Sequence, residues 1–440
     1  MNKLLITTAT FLQTFWEKLR VSYWFIPACM IVPSVIIGSS LYLFVAWFFA
    51  DISSPLWGWS IPPQSAVQLT STVATATITA TSIAFSMTLV SLTMASKQFG
   101  PRLIQTFMDD RGTQCVLGAL TSTFVFCLLT IHRLGVEETG LFVVSLYAFI
   151  VLFLGIIDTL LLIYFIHHIA TFIQADKIIE RCYQAAIYHI DSLFPAQNNI
   201  GAIKAISPDM IKTGPYTTQI SPNQSGYVKA VDYEGLMMFP RTYVTGIEIH
   251  VRGGDYVTLN DTVMTIHSVH PLTNEGFDAY QRHIFLGEQR SAIQDPEFSL
   301  SQLVDIALRA LSPGINDPET ARTSADRLTS ACIHLAGKEF PPSALIHTQT
   351  NIWILRKTGS FASIVDKAFC EISAAGATHT AVMVYLLYCI DKIQRQVAPL
   401  QQKVLNKQAD NIFQIALTHA NDDRNKMKLE AAYKAAIRLA

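Results

Sequence analysis

Apolar residues crowd the first 170 positions in long runs, then give way to short alternating stretches and helical periods. Four runs reach the roughly 18 residues with few charges that a membrane-spanning helix requires. They cover about 23–50, 67–96, 114–131 and 141–167. Trp24 and Trp47 stand near the ends of the first run, as amphipathic rings do at a bilayer surface. That run is too long for a signal peptide and lacks a small-residue cleavage site.

The second run departs from the others. TSTVATATITATSIAFSMTLVSLTMASKQFGPRL (70–103) places Thr and Ser where a lipid-facing helix carries Leu, Ile and Phe. At 100° per residue, Thr75, Thr79, Ser82, Ser86 and Thr93 form one narrow hydroxyl stripe. Thr72, Ala76, Ala80, Ala84 and Thr88 form a small-residue flank, and Ile78, Phe85, Leu89 and Leu92 an oily back. Two readings compete for the stripe. It is either a packing face that lets helices approach closely, or the lining of a wet path in which hydroxyls replace part of an ion's hydration shell. Both turn it away from lipid. Gly100-Pro101 should end the span, because proline cannot continue the hydrogen-bond ladder. The following LIQTFMDDRGTQ segregates an apolar face from Asp109, Asp110 and Arg111, as an interfacial helix does. With Lys97 and Arg102, those charges either ring an inner mouth or face solvent.

Beyond residue 170 the chain reads like a soluble protein. A helix with a mixed-charge face is expected over 170–194, ended by Pro195, and an irregular linker over 196–224. The period then changes to two: GYVKAVDY, YVTGIEIHV, DYVTL and TVMTIH are strand-like, with turns at Gly253-Gly254-Asp255 and Asn260-Asp261. Helical periods resume at 272 and continue to the end, with room for one or two strands in 342–358. The predicted fold is a polytopic α-helical membrane protein. Its segments are an N-terminal segment (1–22), four transmembrane helices (23–168), a helix and linker (169–224), a small β domain (225–270) and a mainly helical domain (271–440).

Composition agrees: half of the 440 residues are hydrophobic and only 15% charged, with a mean hydropathy of +0.32. A net charge of -1 offers no long-range attraction to nucleic acid. Seven scattered cysteines without a CxxC pair suit reduced thiols rather than disulfides or zinc. Lys3, Lys18 and Arg20 precede the first span, and Lys97, Arg102 and Arg111 separate the second from the third. The loop 51–66 has no Lys or Arg. The positive-inside rule therefore puts both termini, and everything after 168, in the cytoplasm of a cell with this protein in its inner membrane.

Several residues could carry chemistry. Asp158 lies inside the fourth run, where an acid is costly; it is either a functional group or a carboxyl bonded to a hydroxyl of the second span. His167 and His168 follow at the cytoplasmic end, as a proton route or as interfacial anchors; as helical neighbours they cannot both face one lumen. In RALSPGINDPETA, Asp317 should cap a helix that begins at Pro318. Arg309, Asn316, Asp317 and Arg322 could instead form a small-anion or subunit-contact site. His267 and His270 have no Cys or acid at ligand spacing, so no metal is expected. P-loop, GxSxG, HExxH and Rossmann patterns are missing, and neither a cofactor nor a catalytic residue is expected.

SKQFGPRL with FMDDRGTQCVLG, then LIYFIHHIA, then QDPEFSLSQLVDIALRALSPGINDPETA, resemble in this order a bacterial family of predicted integral membrane proteins catalogued as a domain of unknown function. The resemblance implies a multi-span protein with a C-terminal soluble region and no defined activity. SGYVKAVD and RGGDYVTLNDTVMTI are similar to the half-motifs of biotinyl/lipoyl-like barrel-sandwich domains, without the Met-Lys pair that would carry a cofactor. Four spans with one hydroxyl face are too few to enclose a conduit, so the expected partners are the bilayer, further copies of this chain and inorganic ions. The leading expectation is a homo-oligomeric ion channel or passive conduit lined by the second span. The alternative is a non-conducting scaffold or sensor whose cytoplasmic domain binds a partner or small ligand.

Overall fold

The computed structural model describes residues 24–48, 60–100, 110–136, 140–194, 203–211, 213–238, 243–272, 274–420 and 422–437. The chain divides into two units, residues 1–177 and 178–440.

The first unit contains helices α1 (Phe25–Phe48), α2 (Pro63–Phe99), α3 (Arg111–Val136) and α4 (Leu141–Phe172). Three of them, α2, α3 over Arg111–Leu134, and α4, are long and apolar enough to cross a membrane; α1 is apolar over Phe25–Ser40. The third run is longer than its apolar pattern, because Arg111, Gly112 and Thr113 also take helical conformation. Helix α2 has 37 residues and α4 has 32. At 1.5 Å per residue they are about 55 and 48 Å long, against about 30 Å of hydrocarbon. Each is therefore several turns longer than a crossing of the bilayer core requires. Proline at its first position presets the start of α2. Its end is the corner expected at Gly100, whose φ of 107° suits glycine and whose N–H bonds the Ser96 carbonyl. Small residues bring the helices together. A Cβ on Gly118 of α3 would meet Met30 Sδ of α1 at 2.5 Å, and one on Gly155 of α4 would meet Val73 of α2 at 3.3 Å. Leu117, Leu120 and Phe165 pack in one layer, and Cys127, Tyr147 and Val151 in another.

Helix α5 (Ala175–Leu193) leads into the second unit and carries the expected mixed-charge face. Glu180 pairs with Arg327 at 2.8 Å, and Asp191 with His334 and Lys338 at 2.7 Å each. Nine strands follow among the described residues: β1 (Ile203–Ala205), β2 (Tyr216–Ile220), β3 (Gly226–Val231), β4 (Val244–Ile249), β5 (Tyr256–Val257), β6 (Met264–Ser268), β7 (Ile284–Gly287), β8 (Ala344–His347) and β9 (Trp353–Arg356). They form a six-stranded sheet in the order β1-β8-β9-β4-β6-β2 and a three-stranded sheet β5-β3-β7. All pairings are antiparallel except β4 with β9. The sheets thus extend on both sides of 225–270. The stretch expected as a linker supplies β1 and β2, whose polar residues suit the two outermost positions of the larger sheet. Apolar faces close on Val228, Ile247, Ile266 and Ile354. The turns read from the sequence are present: Arg252 N–H bonds Asp255 Oδ2 at 3.1 Å, and Thr258 N–H bonds Asp261 Oδ2 at 2.7 Å. Gly246 is required, since a Cβ there would lie 1.9 Å from the Trp353 ring.

The remaining helices are α6 (Tyr233–Met238), α7 (Asn274–Gln281), α8 (Pro296–Ala310), α9 (Pro318–Ala336), α10 (Phe361–Ala375), α11 (Thr380–Gln394), α12 (Pro399–His419) and α13 (Asp423–Ala436). Helices α8 to α13 bury Leu303, Leu328, Phe369, Leu387 and Ile412. Two of them start alike: Asp295-Pro296-Glu297 and Asp317-Pro318-Glu319 each place an aspartate cap before a first-turn proline. All seven cysteines are free.

Candidate functional site

Helix α2 shows two different polar faces. Ala66, Thr70, Ala74, Thr77, Thr81 and Ala84 are buried inside the first unit. The stripe residues Thr75, Thr79, Ser82, Ser86 and Thr93 are all exposed in the single chain. Four of them turn their O–H back on their own helix. Thr75 donates to the Ser71 carbonyl at 2.9 Å, Thr79 to Thr75 at 2.8 Å, Ser82 to Ile78 at 2.9 Å, and Thr93 to Leu89. With donors occupied, the outward-facing part of each hydroxyl is its oxygen lone pairs.

Asp158 of α4 is 6% exposed. Thr77 of α2 donates to its Oδ2 at 3.3 Å and Thr123 of α3 to its Oδ1 at 3.2 Å. Three helices thereby converge on one carboxyl, two turns of α4 beyond the buried Val151. Gly155, one turn before Asp158, is what lets α4 approach Val73 of α2. A groove of about 390 Å³ runs between α2 and α4; Thr72, Ala76, Gly155, Ile156 and Asp158 are among its lining.

A second cluster lies at the start of α3. Asp110 accepts from Thr113 N–H at 3.1 Å and from the Thr113 hydroxyl at 2.5 Å, and its Oδ2 lies 2.7 Å from His168 Nε2. His168 stacks on Tyr164 and tilts against Phe172, with ring centroids 5.5 and 5.6 Å away. Gly112 leaves room for its ring: a Cβ there would approach Nε2 to 2.9 Å. His167, its neighbour, is exposed, and so is Lys97. Arg111 begins α3 and is exposed; Arg102 and Asp109 lie outside the described residues.

The candidates of the second unit take separate partners. Asp317 caps α9, accepting from Thr320 N–H at 3.2 Å and Thr320 Oγ1 at 2.6 Å. These bonds hold its carboxyl below the usual carboxylate range. Asn316 is exposed with a φ of 50°, as the turn before α9 requires. Arg322 pairs with Glu319 and lies over the Tyr385 ring, 5.6 Å from its centroid. Arg309 is half-buried on α8. His267 bonds Glu248 at 3.0 Å and packs on Trp353.

Sequence reasoning missed the network that joins the β4–β5 turn to two helix starts. Arg252 makes a two-pronged pair with Glu297 at 3.0 and 3.1 Å, and the Ser363 hydroxyl of α10 donates to Glu297 at 3.0 Å. Arg290 pairs with Asp295 beside it, and burial there outweighs the guanidinium to push the Asp295 carboxyl up. The network's only local signal is Asp295-Pro296-Glu297; Arg252 and Ser363 lie 45 and 66 residues from Glu297, a pairing that no short motif announces.

The family described as "Predicted membrane protein (DUF2254)" matches residues 20–392, a stretch that takes in the four helices of the first unit, both sheets and α8 to α10. The chain belongs to this family. Among its relatives, the uncharacterized protein MT1328 of Mycobacterium tuberculosis (strain CDC 1551 / Oshkosh) is 28% identical over 365 residues, which is 81% of this chain and 70% of that protein. The uncharacterized protein Mb1321c of Mycobacterium bovis is 29% identical over 367 residues, with the same coverage of 81% and 70%. No solved structure matches the chain. Family membership makes this a predicted membrane protein and assigns it no biochemical activity, so the site must be read from its own residues.

Proposed function

We propose that the chain assembles with copies of itself into an ion conduit lined by α2. The observation that carries this reading is the placement of the stripe. Helix α2 buries one small-residue face inside its own unit, yet leaves five aligned hydroxyl residues uncovered. In a bilayer such a face gains most by meeting symmetry-related copies and water. With α1 as a fourth span, both termini and the whole second unit lie on the cytoplasmic side of the inner membrane, in keeping with the Lys and Arg positions. The oxygen lone pairs turned outward by Thr75, Thr79 and Ser82 favour cations over anions.

A second reading is a non-conducting scaffold or sensor. It is favoured by the same back-bonding, which satisfies each donor within the helix and makes exposure to lipid tolerable. Planar-bilayer recording separates the two. A conduit gives unitary currents that Ser82→Leu and Ser86→Leu diminish; currents unchanged by both, or silence from correctly assembled protein, overturn the conduit.

A further inference from the structure

Beyond the first turn of each helix, the threonines of α2 and α3 follow one rule with two exceptions among the described bonds; elsewhere in the unit Ser34 donates to the Ser122 carbonyl and Thr113 to Asp110. Interior threonines of α2, α3 and α4 donate to the carbonyl four residues back, as Thr81 does to Thr77 and Thr130 to Phe126. Thr77 and Thr123 do not. Each turns instead to a different oxygen of Asp158. The result is a cluster of four side-chain oxygens drawn from three helices, within spans where most polar groups are satisfied locally. We infer that Asp158, Thr77 and Thr123 form an intramembrane binding site for a small monovalent cation, entered through the groove between α2 and α4.

Three features support this. The hydroxyl–carboxylate separations, 3.2 and 3.3 Å, are longer than the roughly 2.6 Å of a charge-assisted O–H···O⁻ bond. Bonds that long are weak, so an arriving cation can draw on the lone pairs of both hydroxyls and of the carboxylate without breaking a strong contact. Charge balance is the second feature. A carboxyl at this depth must be neutralised, by a proton or by a counter-charge that competes with it, and the polar partners of Asp158 among the described residues are uncharged hydroxyls. The Cys127 thiol, one turn after Thr123 on α3, adds no positive charge either. A single positive ion neutralises the site, whereas a divalent ion would leave it charged in a low dielectric. Third, the site has an entrance. Asp158 and Thr77 both line the groove of about 390 Å³, so an ion and the waters completing its shell can reach them. The adjoining Gly155 and Ala76 keep the walls small.

The site lies within one chain and does not depend on whether α2 lines a shared path. Its test uses the purified full-length protein in detergent micelles. Dicyclohexylcarbodiimide, an apolar reagent for protonated carboxyls, should label Asp158, read by mass spectrometry of the α4 peptide; Asp158→Asn should leave that peptide unlabelled. Sodium chloride should slow the labelling relative to choline chloride at equal ionic strength. Thr77→Val and Thr123→Val, which keep side-chain shape, should each raise the half-protecting sodium concentration about tenfold (about 1.4 kcal/mol). Thr81→Val, whose hydroxyl serves its own helix, should leave it unchanged. Equal labelling in sodium and choline, no labelling of the folded protein, or equal protection in all three threonine variants overturns the site. None of these results bears on the response of currents to Ser82→Leu, so the two proposals fail separately.

Discussion

Glu297 offers the sharpest quantitative test of how the second unit is held together. It accepts both prongs of Arg252 at 3.0 and 3.1 Å and the Ser363 hydroxyl at 3.0 Å, and its side chain is 11% exposed. Breaking a buried pair by removing one partner costs about 3–5 kcal/mol. Two features lower that figure here. The Arg252 side chain is 33% exposed, and the Asp255 carboxylate, 3.9 Å away, remains as a partial partner. Glu297→Ala should therefore cost about 2–3 kcal/mol, and Arg252→Ala a similar amount. The double variant should cost only about 3 kcal/mol, because the second deletion removes a charge already left unpaired. The assay is unfolding of the full-length protein in mild detergent, followed by the fluorescence of Trp353. That residue is buried in the sheet, and the five tryptophans preceding residue 60 can be replaced by phenylalanine. The expected melting shift for either single variant is about 5–10 °C. Additivity of the two changes to within about 0.5 kcal/mol would refute the pairing as a source of stability.

Three further outcomes are expected. Asp317→Ala should lose the α9 cap, at about 1 kcal/mol, while Asp317→Asn should retain most of it; faster hydrogen exchange at Thr320 and Ala321 in the alanine variant alone is the check. The Asp232 carboxyl is held below the usual range, first by the His283 hydrogen bond, against burial and with help from the Gly235 N–H. Its contribution to stability is complete above the unfolded aspartate pKa of about 3.9 and fades as pH falls through the lower folded value. Urea unfolding at stepped pH should show that limb in the wild type and a flatter one in Asp232→Asn; equal limbs would refute it. Gly246→Val should prevent assembly of the six-stranded sheet, because even a Cβ lies 1.9 Å from Trp353. The expected loss is about 3 kcal/mol or more, seen as rapid proteolysis of the second unit.

Local patterns in this chain carried local structure. Gly100 ends α2 where the sequence placed the punctuation, although the helix begins at Pro63, inside the stretch read as a loop; the Asp-Pro step at 317 starts α9 as its cap chemistry dictates. The turns at 252–255 and 258–261 follow from Gly and Asp in short order. Long-range pairing was not legible. Strand β1 pairs with β8 across more than a hundred residues, and no period within IKA announces that register. Strand β2, YTTQI, looks like linker because only Ile220 of its five side chains is buried. The helical wheel leaves Asp110 among charges that ring an inner mouth or face solvent, yet it turns to Thr113 and His168 as the residue just before α3.

Helix α2 shows why composition alone could not decide its purpose. Threonines populate both its buried and its exposed faces, and on both most donate to their own backbone. A threonine in that state presents a methyl group and lone pairs, so it suits a packed interface, lipid or a wet lumen about equally. Counting hydroxyls therefore says little about function. What discriminates is the hydroxyl that leaves its own carbonyl for another partner, because that choice must be compensated by the partner. In the described spans Thr77 and Thr123 make that choice together, and for the same carboxyl. The exposed stripe is an uncovered face of the single chain, while the hydroxyls of Thr77 and Thr123 meet at Asp158. A conduit through the stripe and an ion at Asp158 would be coupled only through α2, whose Thr77 faces inward one residue from Ile78 and two from Thr79 on the exposed side. An ion that tightens Thr77 against Asp158 would then turn or brace the helix that carries the lining. If so, sodium should alter the currents of the wild type and not those of Thr77→Val; currents equally sodium-sensitive in both would separate the two sites mechanically.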